Sequence, residues 1–227
     1  MLFIGNSYTR FNDLPRQVEL VSRSVEGGPH VDASRETHGG FNLRRHWRRR
    51  RVRHLVERGG FDAVVLQGHS LSPLDHPDEL AEYARRFHDR AEEAGARLVL
   101  FETWPRHPRS RLYRRRGDLR GPDEMLARVG AVYRALGREL DAPVAPVGHA
   151  WRAALDALPE APLHRRDGTH PTLAGSYLSA CVVYGTLSGR DPREAAWNPW
   201  NLDDAHAERI RALAAEALVR RRALPAR

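Results

Sequence analysis

Short apolar runs alternate with longer amphipathic ones along this chain, a rhythm that predicts strand-helix-strand units wound around a parallel sheet. Five runs read as strands: Leu2 to Gly5, a weaker one from His30 to Glu36, Ala63 to Gln67, Arg97 to Glu102, and Val144 to Val147. Apolar positions recur at helical spacing over Leu14 to Val25, Leu43 to Arg58, Pro77 to Ala94, Pro122 to Leu140, Pro171 to Leu187, and Asp203 to Arg222. The third helix is well punctuated: Asp75 or His76 precedes Pro77 at a first helical position, acids follow in the first turn, and Gly95 ends it. The last closes on a basic stretch that suits a helix C-terminus. The fold class expected is α/β, a three-layer α/β/α sandwich around a doubly wound, five-stranded parallel sheet. Ligands of such sheets collect at the carboxyl ends of the strands, where Ser7, Gln67 and Trp104 all fall.

Composition narrows the class further. At 227 residues the chain can bury a full core, and one domain spanning residues 1–227 is expected, with the helix at about 203–222 packed on it. Hydrophobic residues at 41% and charged residues at 29% describe a globular rather than a disordered chain. All 37 basic residues are arginine and the formal net charge is +8, which favours acidic partners or anionic substrates without identifying one. Cys181 is the single cysteine, so no intramolecular disulfide and no thiolate metal cluster can form, and its place in an apolar run predicts a buried, inert thiol. No run approaches the ~18 apolar residues of a membrane helix. The residues Met1 to Gly5 read as a strand rather than a leader, and a cytoplasmic location is the expectation.

Candidate chemistry sits near both ends. Ser7 follows Gly5 and Asn6 at a strand-to-helix turn, where a small residue permits a sharp bend and backbone amides face the crevice. Such a serine can be a nucleophile, a helix cap or a phosphate cradle. A serine hydroxyl attacks at neutral pH only with an imidazole in reach and a group to hold that imidazole's tautomer. Asp167-Gly168-Thr169-His170 offers both: the carboxylate three residues back can reach one ring nitrogen while the other looks outward. Pro171 then begins a helix, with His170 as its expected N-cap. The alternative is that Asp167 only stabilises an Asp-Gly turn.

In these strings the chain resembles the SGNH hydrolases, the esterase and lipase group also called GDSL-like. Gly5-Asn6-Ser7 is similar to the group's Gly-Asp-Ser block, with Asn for Asp, and Asp167 to Pro171 is similar to its Asp-x-x-His-Pro block. The resemblance implies a flavodoxin-like sheet and a glycine amide in the oxyanion hole; in Gly39-Gly40-Phe41-Asn42-Leu43 this is Gly40, with Gly39 as alternate. The usual Gly-x-Asn-Asp block is absent, and Gln67-Gly68-His69-Ser70 stands in its place, as in some acetylesterase-like relatives. Gln67 is then the side-chain oxyanion donor, with His69 as alternate. The resemblance covers residues 1 to about 190.

Residues and resemblance together imply a serine ester hydrolase with Ser7 as nucleophile, His170 as base and Asp167 as its orienter. The amides of Ser7 and Gly40 with the Gln67 side chain receive the oxyanion, and Asn6 and Trp104 line the substrate pocket. The expected substrate is a small acyl ester, an acetyl group on a carbohydrate or another polar scaffold; no cofactor and no metal are implied. A reading from a second class is an inactive relative that binds anionic ligands or nucleic acid through its arginine-rich faces.

Three further signals carry less. The run Arg44 to Arg53 around Trp47 reads as a solvated helix face with Trp47 and Leu55 inward, so no nucleic-acid partner is expected. A second basic cluster, Arg109 to Arg116, belongs to the loop after the fourth strand and borders the expected crevice. His164, Asp167 and His170, or His69, Asp75 and His76, have spacings a metal could use, but base and orienter account better for Asp167 and His170. Trp151, Trp197 and Trp200 read as core or terminal packing.

Overall fold

The computed structural model describes residues 1–223. Strand β1 (Leu2–Gly5) runs into a short helix α1 (Ser7–Arg10), a 3-10 turn at Phe11–Asp13, and α2 (Leu14–Arg23); β2 (Ser34–Thr37) leads to α3 (Leu43–Trp47) and α4 (Arg50–Glu57). Strand β3 (Ala63–Leu66) is followed by α5 (Ser72–Asp75) and α6 (Pro77–Glu93), and β4 (Arg97–Phe101) by α7 (Arg111–Arg115) and α8 (Pro122–Glu139). Strand β5 (Val144–Ala145) precedes α9 (Val147–Ala157), α10 (Leu173–Ser188) and α11 (Asp204–Ala223).

All five strands pair in parallel, in the order β2-β1-β3-β4-β5. The chain steps outward from β1 to β2 and then back past it to β3, so the order reverses beside β1, the place where doubly wound sheets open a crevice. Strands β1 and β3 are apolar throughout and buried on both faces, as central parallel strands must be, whereas edge strand β2 is Ser-Arg-Glu-Thr. Alternation along the strands divides the core in two: Phe3, Val65, Val99 and Phe101 face α2, α9, α10 and α11, while Ile4, Val64, Leu98 and Leu100 face the layer of α3, α4, α6 and α8. No helix among the described residues is long and apolar enough to cross a membrane.

The structure departs from the sequence pattern in several places, among them the expected loop Arg109 to Arg116, which holds the short helix α7. The run Leu43 to Arg58 is two helices, broken at Arg48 and the extended Arg49. In one unbroken helix Val52 and Val56 would point away from the Leu43 side; the break resets the phase so that all three are buried. The fifth strand stops at Ala145 because Pro146 cannot donate to a ladder and instead heads α9, a helix the strand reading hid. The second strand begins only at Ser34, although Val31 is buried. The N-cap of α10 is Thr172, whose hydroxyl accepts from the Gly175 amide, so His170 stays free of the helix. Trp151 is buried as expected, but Trp200 is 92% exposed and packs in no core.

Candidate active site

Ser7 is the first residue of α1, directly past the carboxyl end of β1. The turn that presents it is tightly held. Asn6 caps α1 by accepting from the Tyr8 amide at 3.0 Å, and its own side-chain NH2 donates to the Phe41 carbonyl at 3.1 Å. Its backbone N–H donates to Gln67 Oε1 at 2.9 Å, and the Thr9 hydroxyl donates to that same oxygen at 3.0 Å. A Cβ on Gly5 would lie 2.4 Å from Thr9 Oγ1 and 2.7 Å from Gln67 Oε1, so only glycine lets Gln67 approach this closely.

The candidate base, His170, arrives from the other end of the chain. His170 Nε2 lies 2.9 Å from Ser7 Oγ, and His170 Nδ1 lies 2.7 Å from Asp167 Oδ2. The second Asp167 oxygen accepts from the amides of Thr169 at 2.8 Å and His170 at 2.9 Å. Burial raises the Asp167 pKa, but the bonds from the His170 ring and from the two amides outweigh it and hold the carboxyl below its ordinary range. An ionised Asp167 fixes the proton on Nδ1, leaving Nε2 to accept from the serine hydroxyl.

Two devices lock these ends together. Asn12 donates from its side chain to the carbonyls of Pro171 at 3.1 Å and Thr172 at 2.9 Å and to Ser176 Oγ at 2.9 Å, tying the Ser7 turn to the His170 loop across some 160 residues of sequence. Asn12 and Asp13 both hold left-handed backbone, at φ 53° and 50°, a conformation that asparagine and aspartate tolerate better than other non-glycine residues. Beneath His170, Tyr8, Trp104 and Trp151 form a stack with centroids 4.1 Å apart at each step and planes within 5°. Trp104 also donates from Nε1 to the Thr169 carbonyl at 3.1 Å, and Phe11 stacks on the His170 ring at 4.5 Å.

Three sequence expectations change here. Trp104 has no exposed surface and braces the base loop from below rather than lining a pocket. Asn6, 3% exposed, has its side chain wholly engaged in holding its own turn. Gln67, 1% exposed, has its carbonyl oxygen under Asn6 and Thr9 and its NH2 on the Gly68 carbonyl, so its bonds shape the nucleophile turn rather than aim at an oxyanion. Gly39 and Gly40 are exposed in the turn after β2, with Gly40 at φ 70°. His69 accepts the Leu71 amide on Nδ1 at 3.3 Å, and burial, then the nearby Arg106 charge, lower its pKa, so it carries its proton on Nε2.

Sequence reasoning missed Asn12 and Arg106. The Arg106 guanidinium donates to the Tyr8 hydroxyl at 2.5 Å and to Ser70 Oγ at 2.9 Å, bridging the loops after β1 and β3. The one available signal was position, since Arg106 follows the fourth strand by five residues. Of the groups with metal-ligand spacing, His164 donates from Nε2 to the Pro105 carbonyl at 3.0 Å, and Asp167 and His170 are committed to each other.

Among solved structures, the chain is similar to a candidate SGNH hydrolase from Slackia heliotrinireducens, at 26% identity over 82% of this chain and 97% of that one, with a TM-score of 0.71. It is also similar to a DUF4886 family protein from Bacteroides uniformis, at 18% identity over 99% and 96% of the two chains with a TM-score of 0.79. A third likeness is to an acetyl-xylooligosaccharide esterase from Geobacillus, at 16% identity over 82% and 92% with a TM-score of 0.64. No protein-family model and no curated protein matches the chain.

Proposed function

The chain is an SGNH-like hydrolase, and from that premise we propose that it cleaves small acyl esters, acetyl esters of a carbohydrate or another polar scaffold, through an acyl-enzyme on Ser7. The observation that carries this reading is the unbroken line from Ser7 Oγ through the His170 ring to Asp167, at 2.9 Å and 2.7 Å. In the proposed reaction Ser7 Oγ attacks the ester carbonyl as His170 Nε2 takes its proton, and Asp167 stabilises the imidazolium. His170 then returns the proton to the departing alcohol oxygen. A water, activated by the same nitrogen, releases the acid and restores the serine.

The Ser7 amide is a natural oxyanion donor, because first-turn N–H groups of a helix have no partner within it. Gly40 is proposed as the second donor, from the turn beside β1. Gln67 acts one step back, as a positioning residue for Asn6 and Ser7. The acetyl preference is supported by the likeness to an acetyl-xylooligosaccharide esterase. Hydrolysis of p-nitrophenyl acetate that disappears in Ser7→Ala and in His170→Ala is the expected result, and turnover that survives both substitutions refutes the reading.

A further inference from the structure

The alcohol half of the ester has a side of the site assigned to it by chemistry. Its oxygen must come within reach of His170 Nε2, which protonates it as it leaves, so the loop that carries His170 is the wall nearest the rest of the alcohol. On the Asp167 side of that loop, beside Ser7 and His170 but lined by neither, the molecule opens a cleft of about 1270 Å³ whose walls include Asp167 and Gly168. The charges around that cleft are unbalanced. Of its acids, Asp123 and Asp156 both pair with Arg152, and Asp167 is held by His170. Its other guanidiniums, on Arg109, Arg111, Arg165 and Arg166, are exposed and have no carboxylate within 4.0 Å among the described residues.

Exposed arginines without a carboxylate partner occur elsewhere among the described residues too, for example Arg45, Arg48, Arg49, Arg50, Arg114 and Arg115, while others are paired. Nearby Arg116 pairs with Asp75 and Asp118, Arg128 with Asp118 and Glu124, and Arg44 with Glu79. What sets Arg109, Arg111, Arg165 and Arg166 apart is that they line one concavity from two separate segments. Arg165 is also fixed close to the chemistry: its backbone N–H donates to the His170 carbonyl at 2.8 Å, and its guanidinium lies 5.1 Å over the Phe11 ring that stacks on His170. A concave wall of one sign focuses its field on whatever enters, and guanidinium forks match carboxylate and phosphate oxygens.

We propose that the alcohol part of the substrate is anionic, bearing a carboxylate or phosphate group seated in this cleft against Arg109, Arg111, Arg165 and Arg166; the inference rests on the hydrolase reading of the same site. Glucose, glucuronate and glucose 6-phosphate, each acetylated at the same hydroxyl, form a matched set that differs in charge at one carbon. At low salt the anionic esters are expected to show kcat/KM at least about tenfold above acetylglucose, chiefly through KM, with the advantage shrinking as ionic strength rises. The relative rates of the glucuronate and phosphate esters decide which anion the cleft takes. In the double variant Arg165→Gln, Arg166→Gln the ratio of anionic to neutral kcat/KM falls towards one. A wild-type ratio of one or less overturns the proposal while leaving esterase activity on acetylglucose intact. Should no Ser7-dependent turnover exist, calorimetry on Ser7→Ala with the unacetylated sugars decides the matter: tighter binding of glucuronate or glucose 6-phosphate than of glucose, lost in the double variant, supports the anion site, and equal binding of all three overturns it.

Discussion

The chain contains the same four-residue device twice. At Asp167 to His170 and again at Asp203 to His206, the aspartate accepts the histidine amide at 2.9 Å and holds the ring Nδ1, at 2.7 Å in the first case and 2.6 Å in the second. Both carboxyls are pulled below their ordinary range, Asp167 against the effect of burial and Asp203 by the His206 amide and then its ring. What differs is the company of the other ring nitrogen: Ser7 Oγ at 2.9 Å for His170, and Glu160 at 3.4 Å for His206. An Asp-x-x-His string therefore makes an oriented imidazole cheaply and anywhere, here at the start of α11. Only the fold, by delivering a hydroxyl to Nε2, makes one of them a candidate base.

Substitutions separate the two histidines, with the largest effects at the Ser7 end. Ser7→Ala and His170→Ala are each expected to lower kcat for p-nitrophenyl acetate by about 10⁴-fold or more, with little change in thermal stability. Asp167→Asn, which keeps the shape but unsettles the tautomer, is expected to cost about 10³- to 10⁴-fold in kcat. Asn12→Ala releases the tie between the nucleophile turn and the base loop, and a loss of about 10- to 100-fold in kcat/KM is expected if alignment is its contribution; full activity would reduce Asn12 to a turn former. His206→Ala, at the weak end, is expected to stay within about twofold of wild type, and a large loss there would show that the two copies are not separable.

Buried histidines that make no hydrogen bond to a carboxylate titrate differently. Burial is the first cause that pushes His46 and His164 down to about 4. The unfolded chain takes up these protons near pH 6.5 and the folded one only near 4, so in that interval the unfolded state binds more protons and stability falls as pH falls. Between pH 7 and pH 5 each contributes a loss on the order of 2 kcal/mol. Denaturant titrations at the two pH values check this, and His164→Phe is expected to flatten the difference.

Legibility in the sequence followed the range of the interaction concerned. Strands β1, β3 and β4 were readable because continuous apolar runs of four or five residues have few other uses in a chain of this rhythm. Ser7, His170 and Asp167 were readable as candidates because their chemistry is rare in such turns, and the fold brings them together. Asn12 was not, since a left-handed asparagine leaves no mark on the hydrophobic pattern and its three acceptors lie more than 150 residues away. Gln67 was assigned the role its position suggests, yet the missing side chain at Gly5 lets it bond to Asn6 and Thr9 first. Helix α9 was hidden because Val144-Ala145-Pro146-Val147 looks like one apolar strand until the proline's lost N–H is counted.

The ring stack under the base loop has an optical consequence. Two indoles and a phenol, parallel and 4.1 Å apart, are coupled chromophores, so the native protein is expected to display a dichroism couplet at the strong far-ultraviolet indole band. Because Tyr8 is the immediate neighbour of Ser7, any slippage of the nucleophile would be broadcast in that signal, with no added dye or label.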